Sequence, residues 1–224
     1  MTQTRPMTDH QLKISISTEL IWTPSVNADH IGVAVTDGAV TLSGQVQTYP
    51  EKDIALHAAM RVHGVTAVVD DIDVQDRWGT LEDADIAREA GTLFEHSTVI
   101  VPKGAVTATV HDHVVTLSGE VKWRYEREAA RQAIAALPGV RSVQNLITVK
   151  PTAVISPVEA KAKITAALVR NARLDAKRID VTVEGSEVTL TGTVASFDER
   201  RHAEDAAWFA PGVTHVENKL NLGF

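Results

Sequence analysis

The sequence contains no cysteine, which excludes disulfide bonds, thiolate nucleophiles and thiolate metal ligands. Aromatic residues make up only 4% of a chain that is 44% hydrophobic, so valine and alanine provide most of its apolar content. Small apolar side chains of this kind suit thin cores in which helices lie close to a small sheet.

The chain also lacks long apolar runs and an excess of positive charge. No stretch approaches the roughly 18 apolar residues that cross a bilayer, and the N-terminus has no apolar segment typical of a secretory signal. We therefore expect a cytoplasmic protein, with at most peripheral contact to a membrane. The net charge is −7, and residues 1–75 hold 4 Lys/Arg against 9 Asp/Glu, so we expect no nucleic-acid partner.

Signatures of the common enzyme classes are missing. We find no phosphate-binding loop, no Gly-x-Ser-x-Gly elbow and no His-Glu-x-x-His motif. A Leu-Ser-Gly sequence occurs twice, but a third copy replaces its serine with Thr191 and no histidine accompanies all three copies. The sequence therefore predicts a protein without catalytic activity and without a cofactor.

A strand motif, Val-x-Leu-(Ser/Thr)-Gly-x-Val, occurs three times, at Val40–Val46, Val115–Val121 and Val188–Val194. In each copy its glycine precedes a Gly-Val pair by 20 residues, and the copies lie 75 and then 73 residues apart. Such fixed spacing indicates one structural unit built three times. Positions shared by all three copies are expected to serve the fold, whereas positions unique to one copy are candidates for function.

Each repeat has the same succession of patterns: a helix, two alternating strands joined by a tight turn, an alanine-rich helix and a third strand. The sequence thus predicts an α+β fold of three tandem small α-β-β-α-β units, each a three-stranded mixed sheet covered by two helices. We place the units at residues 8–75, 82–150 and 156–223, joined by short linkers at 76–81 and 150–155. The glycine of the strand motif predicts a bulge or a close backbone approach. The turn of the second unit requires a positive φ at Asp112 or His113.

This pattern resembles the BON domain family over nearly the whole chain. The closing sequences Val143-Gln-Asn-Leu-Ile147 and Val216-Glu-Asn-Lys-Leu220 match the family, while the first unit has Asp70 in place of the asparagine. The resemblance implies a non-catalytic binding or scaffolding protein linked to envelope or osmotic stress, which contacts anionic phospholipid or an envelope protein. Two alternatives stay open: a soluble sensor of a cation (potassium or calcium) or osmolyte, and a structural homo-oligomer paired through an open edge strand.

The candidate site for lipid or partner binding is a segment in which the second unit departs from the other two. It comprises Lys122, Trp123, Arg124, Tyr125 and Arg127. Aromatic residues flanked by cations are typical of peripheral membrane contacts. The competing interpretation is that Trp123 docks one unit on another, with Arg124 and Arg127 paired to carboxylates of the acidic first unit.

Two clusters of potential metal ligands are interpreted as surface features. His111-Asp112-His113 resembles a metal-binding pair, but the equivalent residues of the first unit are Thr36 and Gly38, and two imidazoles do not complete a zinc site. In the acidic sequence from Asp70 to Asp73, Asp71 and Asp73 are expected to form the solvent side of an alternating strand. We therefore predict no metal site.

Overall fold

A computed structural model describes residues 7–75, 81–96, 101–150, 156–170 and 176–223. Within these ranges the chain forms three separate mixed sheets, each with its own hydrophobic core. The predicted α+β fold of three repeated units is confirmed. Most of the two predicted linkers, at 76–81 and 150–155, lies outside the described residues.

The helices and strands follow the same order in each repeat. The first repeat contains α1 (Asp9–Ile21), β1 (Ile31–Thr36), β2 (Ala39–Val46), α2 (Tyr49–Arg61) and β3 (Ala67–Val74). The second contains α3 (Asp83–His96), β4 (Val106–His111), β5 (Val114–Val121), α4 (Arg124–Ala135), β6 (Ser142–Asn145) and β7 (Thr148–Val149). The third contains α5 (Pro157–Arg170), β8 (Ile179–Glu184), β9 (Glu187–Val194), α6 (Phe197–Trp208) and β10 (His215–Leu222).

The strand that carries the repeated motif is central in every sheet. It pairs antiparallel with the strand before it and parallel with the strand that closes the repeat. The parallel pairing requires a crossover, and the alanine-rich second helix provides it. In the second repeat the closing strand is divided into β6 and β7, both of which pair with β5.

The second helices lie close to their sheets because small residues face the core. In the alanine-rich helices α2 and α6 every buried residue is an alanine: Ala55, Ala58 and Ala59, and Ala203, Ala206 and Ala207. The alanine-rich pattern of α4 predicts that Ala129, Ala130 and Ala133 face the core, and this prediction was partly wrong. Ala130 is buried, but Ile134 and Ala135 complete the face, whereas Ala129 and Ala133 are half-buried. Ala129 instead lines a groove between repeats.

The shared glycine of the strand motif accommodates a close backbone approach, which is the second of the two predicted alternatives. Gly44, Gly119 and Gly192 have φ values of 129°, 135° and 124°. A Cβ atom at these positions would lie 2.0, 2.1 and 2.0 Å from the carbonyl oxygens of His30, Ala105 and Arg178. Only glycine fits here, because a side chain would collide with the backbone that enters the preceding strand.

The closing strand of each repeat is anchored by a basic residue of the second helix. Asn145 donates to the carbonyl oxygen of Arg127 at 3.0 Å, and the Arg127 guanidinium donates to the carbonyl of Asn145 at 3.2 Å. The third repeat makes the same pair of bonds between Asn218 and Arg200, at 3.1 and 2.8 Å. In each case the asparagine Oδ1 also accepts the backbone N–H two residues further along.

The aspartate of the first repeat preserves this anchor with different chemistry. Asp70 pairs with the ammonium group of Lys52 at 2.9 Å and accepts the N–H of Ile72 at 3.1 Å. Lys52 also donates to the carbonyl of Ile72 at 2.7 Å. The departure from the family asparagine therefore replaces an arginine–asparagine hydrogen bond with an ion pair.

The three repeats contact one another in a closed ring. In each contact, the start of one second helix lies against the end of the second helix in the next repeat. Tyr49 of the first repeat shares a cavity of about 250 Å³ with residues Ala135–Arg141 of the second. Arg124 of the second repeat pairs with Asp205 of the third at 2.8 Å. Phe197 of the third repeat packs against the core of the first.

Further polar contacts cross two of these boundaries. The Arg131 guanidinium of α4 lies 3.5 Å from Asp53 of α2. Burial alone would lower the pKa of Arg131, but the nearby carboxylates of Asp53 and Glu128 outweigh it and raise the pKa. The Nδ1 atom of His63 lies 3.0 Å from the carbonyl oxygen of Ala195. Each repeat is therefore oriented by its two neighbours.

We predict that Gly119→Ala lowers the free energy of unfolding by about 3 kcal/mol, because it adds backbone strain and a collision to a single core. Gly91→Ala is the matched control. Gly91 lies in the interior of α3 with no atom within 4 Å of an added Cβ, so this change is expected to stabilise by about 1 kcal/mol. Urea unfolding would measure both. Equal effects of the two substitutions would contradict this account of the shared glycine.

Candidate functional site

A groove of about 590 Å³ lies where the second repeat meets the third. The cavities at the other two contacts, in the described part of the chain, are smaller, at about 230 and 250 Å³. One wall is the start of α4, and the other is the end of α6 with the residues that follow it. Four of the sequence-predicted site residues line it: Lys122, Trp123, Arg124 and Tyr125.

Trp123 occupies a position that the other repeats use to cap a helix. Thr48 and Ser196 accept a hydrogen bond from the backbone N–H of the third helical residue, at 3.3 and 3.1 Å. The side chain of Trp123 makes no such cap bond, and loss of a capping side chain typically costs about 1 kcal/mol. The indole is 48% exposed beside the groove. Its presence therefore does not serve the start of the helix.

Glu126 fixes the backbone of this segment. Its carboxylate is buried and accepts the N–H groups of Lys122 and Trp123, both at 3.0 Å. Glu51 and Glu199 of the other repeats accept the N–H groups of Gln47 and Ala195, the equivalents of Lys122, at 2.9 and 2.7 Å. The shared glutamate belongs to the fold, and it holds the adjacent aromatic residues in a defined position.

Arg124 connects the two walls of the groove. Its Nη2 atom lies 2.8 Å from a carboxylate oxygen of Asp205, and its guanidinium carbon lies 5.3 Å from the ring centroid of Trp208. The side chain is only 20% exposed. Stacking of arginine on an aromatic face stabilises such a contact beyond the ion pair itself.

The partner of Arg124 differs from the docking interpretation drawn from the sequence, which placed it in the acidic first repeat. The order in which the repeats contact one another explains the difference. The start of α4 meets the end of α6, so the carboxylate within reach belongs to the third repeat. Charge balance along the sequence does not reveal which surfaces meet.

Arg127, the fifth predicted site residue, lies outside the groove. It anchors Asn145 within its own repeat, as Lys52 and Arg200 anchor their partners. The sequence carried a signal for this role, because all three repeats have a basic residue eight positions after the shared glycine.

Two aromatic residues of the third repeat complete the groove and were missed in the sequence analysis. Trp208 packs against the cores of both the second and third repeats. Phe209, the residue that caps the end of α6, is 81% exposed. With Trp123 and Tyr125, four of the ten aromatic residues in the chain line this groove. That concentration in an aromatic-poor sequence was the available signal, but it required knowing that α4 and α6 are neighbours.

The His111-Asp112-His113 turn has the predicted positive φ, and it has it at both candidate residues. Asp112 and His113 have φ values of 50° and 63°. Asp83 at the start of α3 accepts both of their N–H groups at 2.9 Å. His113 turns away toward the carbonyl oxygen of Gly139, 2.9 Å from its Nδ1 atom. The two histidines therefore do not converge.

One set of potential ligand atoms lies close together near this turn. Atoms of Asp83, His111 and Asp112 are all within 4.8 Å of one another. Both carboxylate oxygens of Asp83 already accept backbone N–H groups, and His111 and Asp112 are almost fully exposed. These contacts are those of an exposed hairpin turn whose backbone is bound by Asp83 at the start of α3. The absence of a metal site stays a prediction.

We predict that Asp83→Asn lowers the melting temperature at pH 7 and that this difference shrinks in acid. The N–H of His113, followed by that of Asp112, lowers the pKa of Asp83 below its ordinary value of 3.8. A carboxyl with a depressed folded-state pKa stabilises the fold above its unfolded pKa, and this contribution is lost as the pH falls through the folded pKa.

Thermal melts of both proteins between pH 7 and about pH 2.5 would test this linkage. Asp71→Asn is the control, since it removes an exposed carboxylate from β3 with the same change in charge. A melting-temperature difference for Asp83→Asn that is as large in acid as at pH 7 would contradict the prediction.

The three repeats, each with its own sheet, belong to a known class of domain. The family model of the BON domain matches residues 8–76, 82–151 and 158–223. The chain therefore belongs to the BON domain family, and the resemblance drawn from the sequence is confirmed.

Among curated proteins, the chain is similar to the osmotically-inducible protein Y of Escherichia coli (strain K12). The two are 28% identical over 152 residues, which cover 64% of this chain and 74% of that protein. Within the described residues, no helix is both long and apolar enough to cross a membrane.

Two solved structures are similar at low scores. A structural protein of the type III secretion system of Chlamydia trachomatis (CdsD) is 16% identical with a TM-score of 0.27, covering 95% of this chain and 92% of that one. The periplasmic domain of the inner membrane protein PrgH from S. typhimurium is 12% identical with a TM-score of 0.23, covering 92% and 99%. Neither likeness bears on the function of this chain.

Proposed function

We propose that this protein is a non-catalytic binding or scaffolding protein of the envelope or osmotic stress response, and that it contacts anionic phospholipid at the groove between its second and third repeats. The observation that carries the proposal is the exposed pair Trp123 and Tyr125 beside Lys122. The name of its osmotically inducible relative and its membership of the BON domain family support the stress association.

Exposed aromatic side chains next to a cation match the chemistry of a membrane interface. Trp123 and Tyr125 are 48% and 62% exposed, and amphipathic rings of this kind concentrate at the level of the lipid headgroups. Lys122 is exposed at the same edge of the groove. A basic residue near an anionic surface contributes about 1 kcal/mol of attraction.

The charges that line the groove do not oppose such a contact, although the whole chain carries −7. Asp205 is paired with Arg124, and Glu128 is paired with Arg131 at 3.4 Å. The local surface therefore differs from the acidic average of the chain. The net charge still repels an anionic membrane at long range, so we expect modest affinity.

We predict that Trp123→Ala combined with Tyr125→Ala reduces binding to phosphatidylglycerol vesicles about fivefold or more, because it removes both interfacial anchors. Co-sedimentation at low salt would measure the loss, with phosphatidylcholine vesicles as the neutral comparison. Both side chains lie outside the three hydrophobic cores, so the variant should keep its melting temperature.

Trp22→Ala is the matched control. Trp22 ends α1 in the first repeat and is 79% exposed, so its loss removes an exposed indole far from the groove in sequence. A vesicle contact that is weakened by Trp22→Ala and not by the groove variant would contradict the proposed site. Absence of binding by the unaltered protein would overturn the lipid contact itself and leave an envelope protein as the partner to seek.

A further inference from the structure

We infer that the lipid contact is a composite surface, to which the third repeat contributes Phe209, and that Arg124 and Asp205 position the two halves. The inference rests on the proposed function and adds two features to it. Phe209 becomes a membrane-contacting residue, and docking between repeats becomes the condition for binding. Arg124, which the sequence suggested as a residue for the lipid headgroup, becomes an internal support.

The first line of evidence is the set of residues at the rim of the groove. Phe209 lines the same groove as Trp123 and Tyr125, and it is the most exposed of the three at 81%. The residues equivalent to Phe209 are Arg61 in the first repeat and Ala136 in the second. The fold therefore does not require an aromatic residue here.

Both sides of the contact between the second and third repeats carry aromatic residues that the other repeats lack, which supports a shared role. The residues equivalent to Trp123 are Thr48 and Ser196, and those equivalent to Tyr125 are Pro50 and Asp198. All three rim positions are thus aromatic only at the boundary between the second and third repeats. Large exposed aromatic residues from two repeats on one face mark an interaction surface.

The second line of evidence is how this boundary is held. Tyr49, Arg124 and Phe197 are the first residues of α2, α4 and α6. The first and third repeats use an uncharged aromatic residue at this position, whereas the second uses an arginine. Arg124 needs Asp205 and the ring of Trp208, which lie on the last turns of α6.

These contacts set the position of Phe209. Its backbone N–H donates to the carbonyl oxygen of Asp205 at 3.2 Å, so the ion-paired residue and the exposed ring belong to one rigid helix end. The Nη1 atom of Arg124 is buried and makes no hydrogen bond in the described part of the chain. Removal of the Asp205 charge would leave this buried guanidinium without its carboxylate, which disfavours the docked arrangement.

The test compares Asp205→Asn with Asp205→Glu and with Phe209→Ser in the full-length chain. We expect Asp205→Asn to speed amide hydrogen exchange at the start of α4 and the end of α6 and to weaken phosphatidylglycerol vesicle binding about threefold or more. Asp205→Glu, which retains the charge, should restore much of both. Phe209→Ser should weaken vesicle binding without changing exchange in α4.

Asp180→Asn is the control, because it removes an exposed carboxylate from β8 in the same repeat. Unchanged exchange at Val188 and Leu190, which are fully buried in the core of the third repeat, shows that Asp205→Asn remains folded. Should that core open in Asp205→Asn, Phe209→Ser decides the inference alone.

The outcomes separate this inference from the proposed function. Faster exchange in Asp205→Asn with vesicle binding equal to that of the unaltered protein would overturn the composite surface while leaving the lipid contact of the second repeat. Unchanged exchange would overturn the positioning role of Asp205, and full binding by Phe209→Ser would remove that residue from the contact. Lack of vesicle binding by the unaltered protein would reject the proposed function itself.

Discussion

Each sheet in this protein depends on one close contact between two stretches of backbone. A carbonyl oxygen at the start of the first strand fills the space that a Cβ atom would occupy on the central strand. The contact brings the first strand into antiparallel register and leaves the opposite edge for the parallel closing strand. It also explains why all three copies of the motif keep a glycine at this position, because the side chain of any other residue would collide with that carbonyl oxygen.

Around that contact, residues differ between the repeats where the replacement performs the same structural role. Lysine with aspartate replaces arginine with asparagine in the first repeat, and both arrangements connect the second helix to the closing strand. The second repeat has Trp123 in place of a capping side chain, and the N–H of Glu126 donates to the backbone carbonyl oxygen of Trp123 at 3.1 Å instead. The indole itself takes no part in this cap, which points to a role for it outside the unit.

The sequence was sufficient for the features that are local or repeated. Periodicity and spacing predicted the three units, and the Asp112–His113 turn was predicted because a tight hairpin turn requires positive φ. The segment from Lys122 to Tyr125 stood out by comparison between repeats. The residues that this segment contacts in the third repeat did not stand out in the sequence. Asp205, Trp208 and Phe209 lie 80 or more residues further along the chain, and only the packing of one repeat on another brings them to the groove.

The ring of contacts has a consequence for the strength that each contact needs. Once the first repeat contacts the second and the second contacts the third, the surfaces of the first and third repeats are already confined to one small volume when they meet. Effective concentrations for tethered partners reach the millimolar range, so surfaces too weak to associate as separate molecules remain joined here. The same closure couples the three boundaries, because each repeat is positioned by both of its neighbours and a change at one boundary therefore reaches the other two.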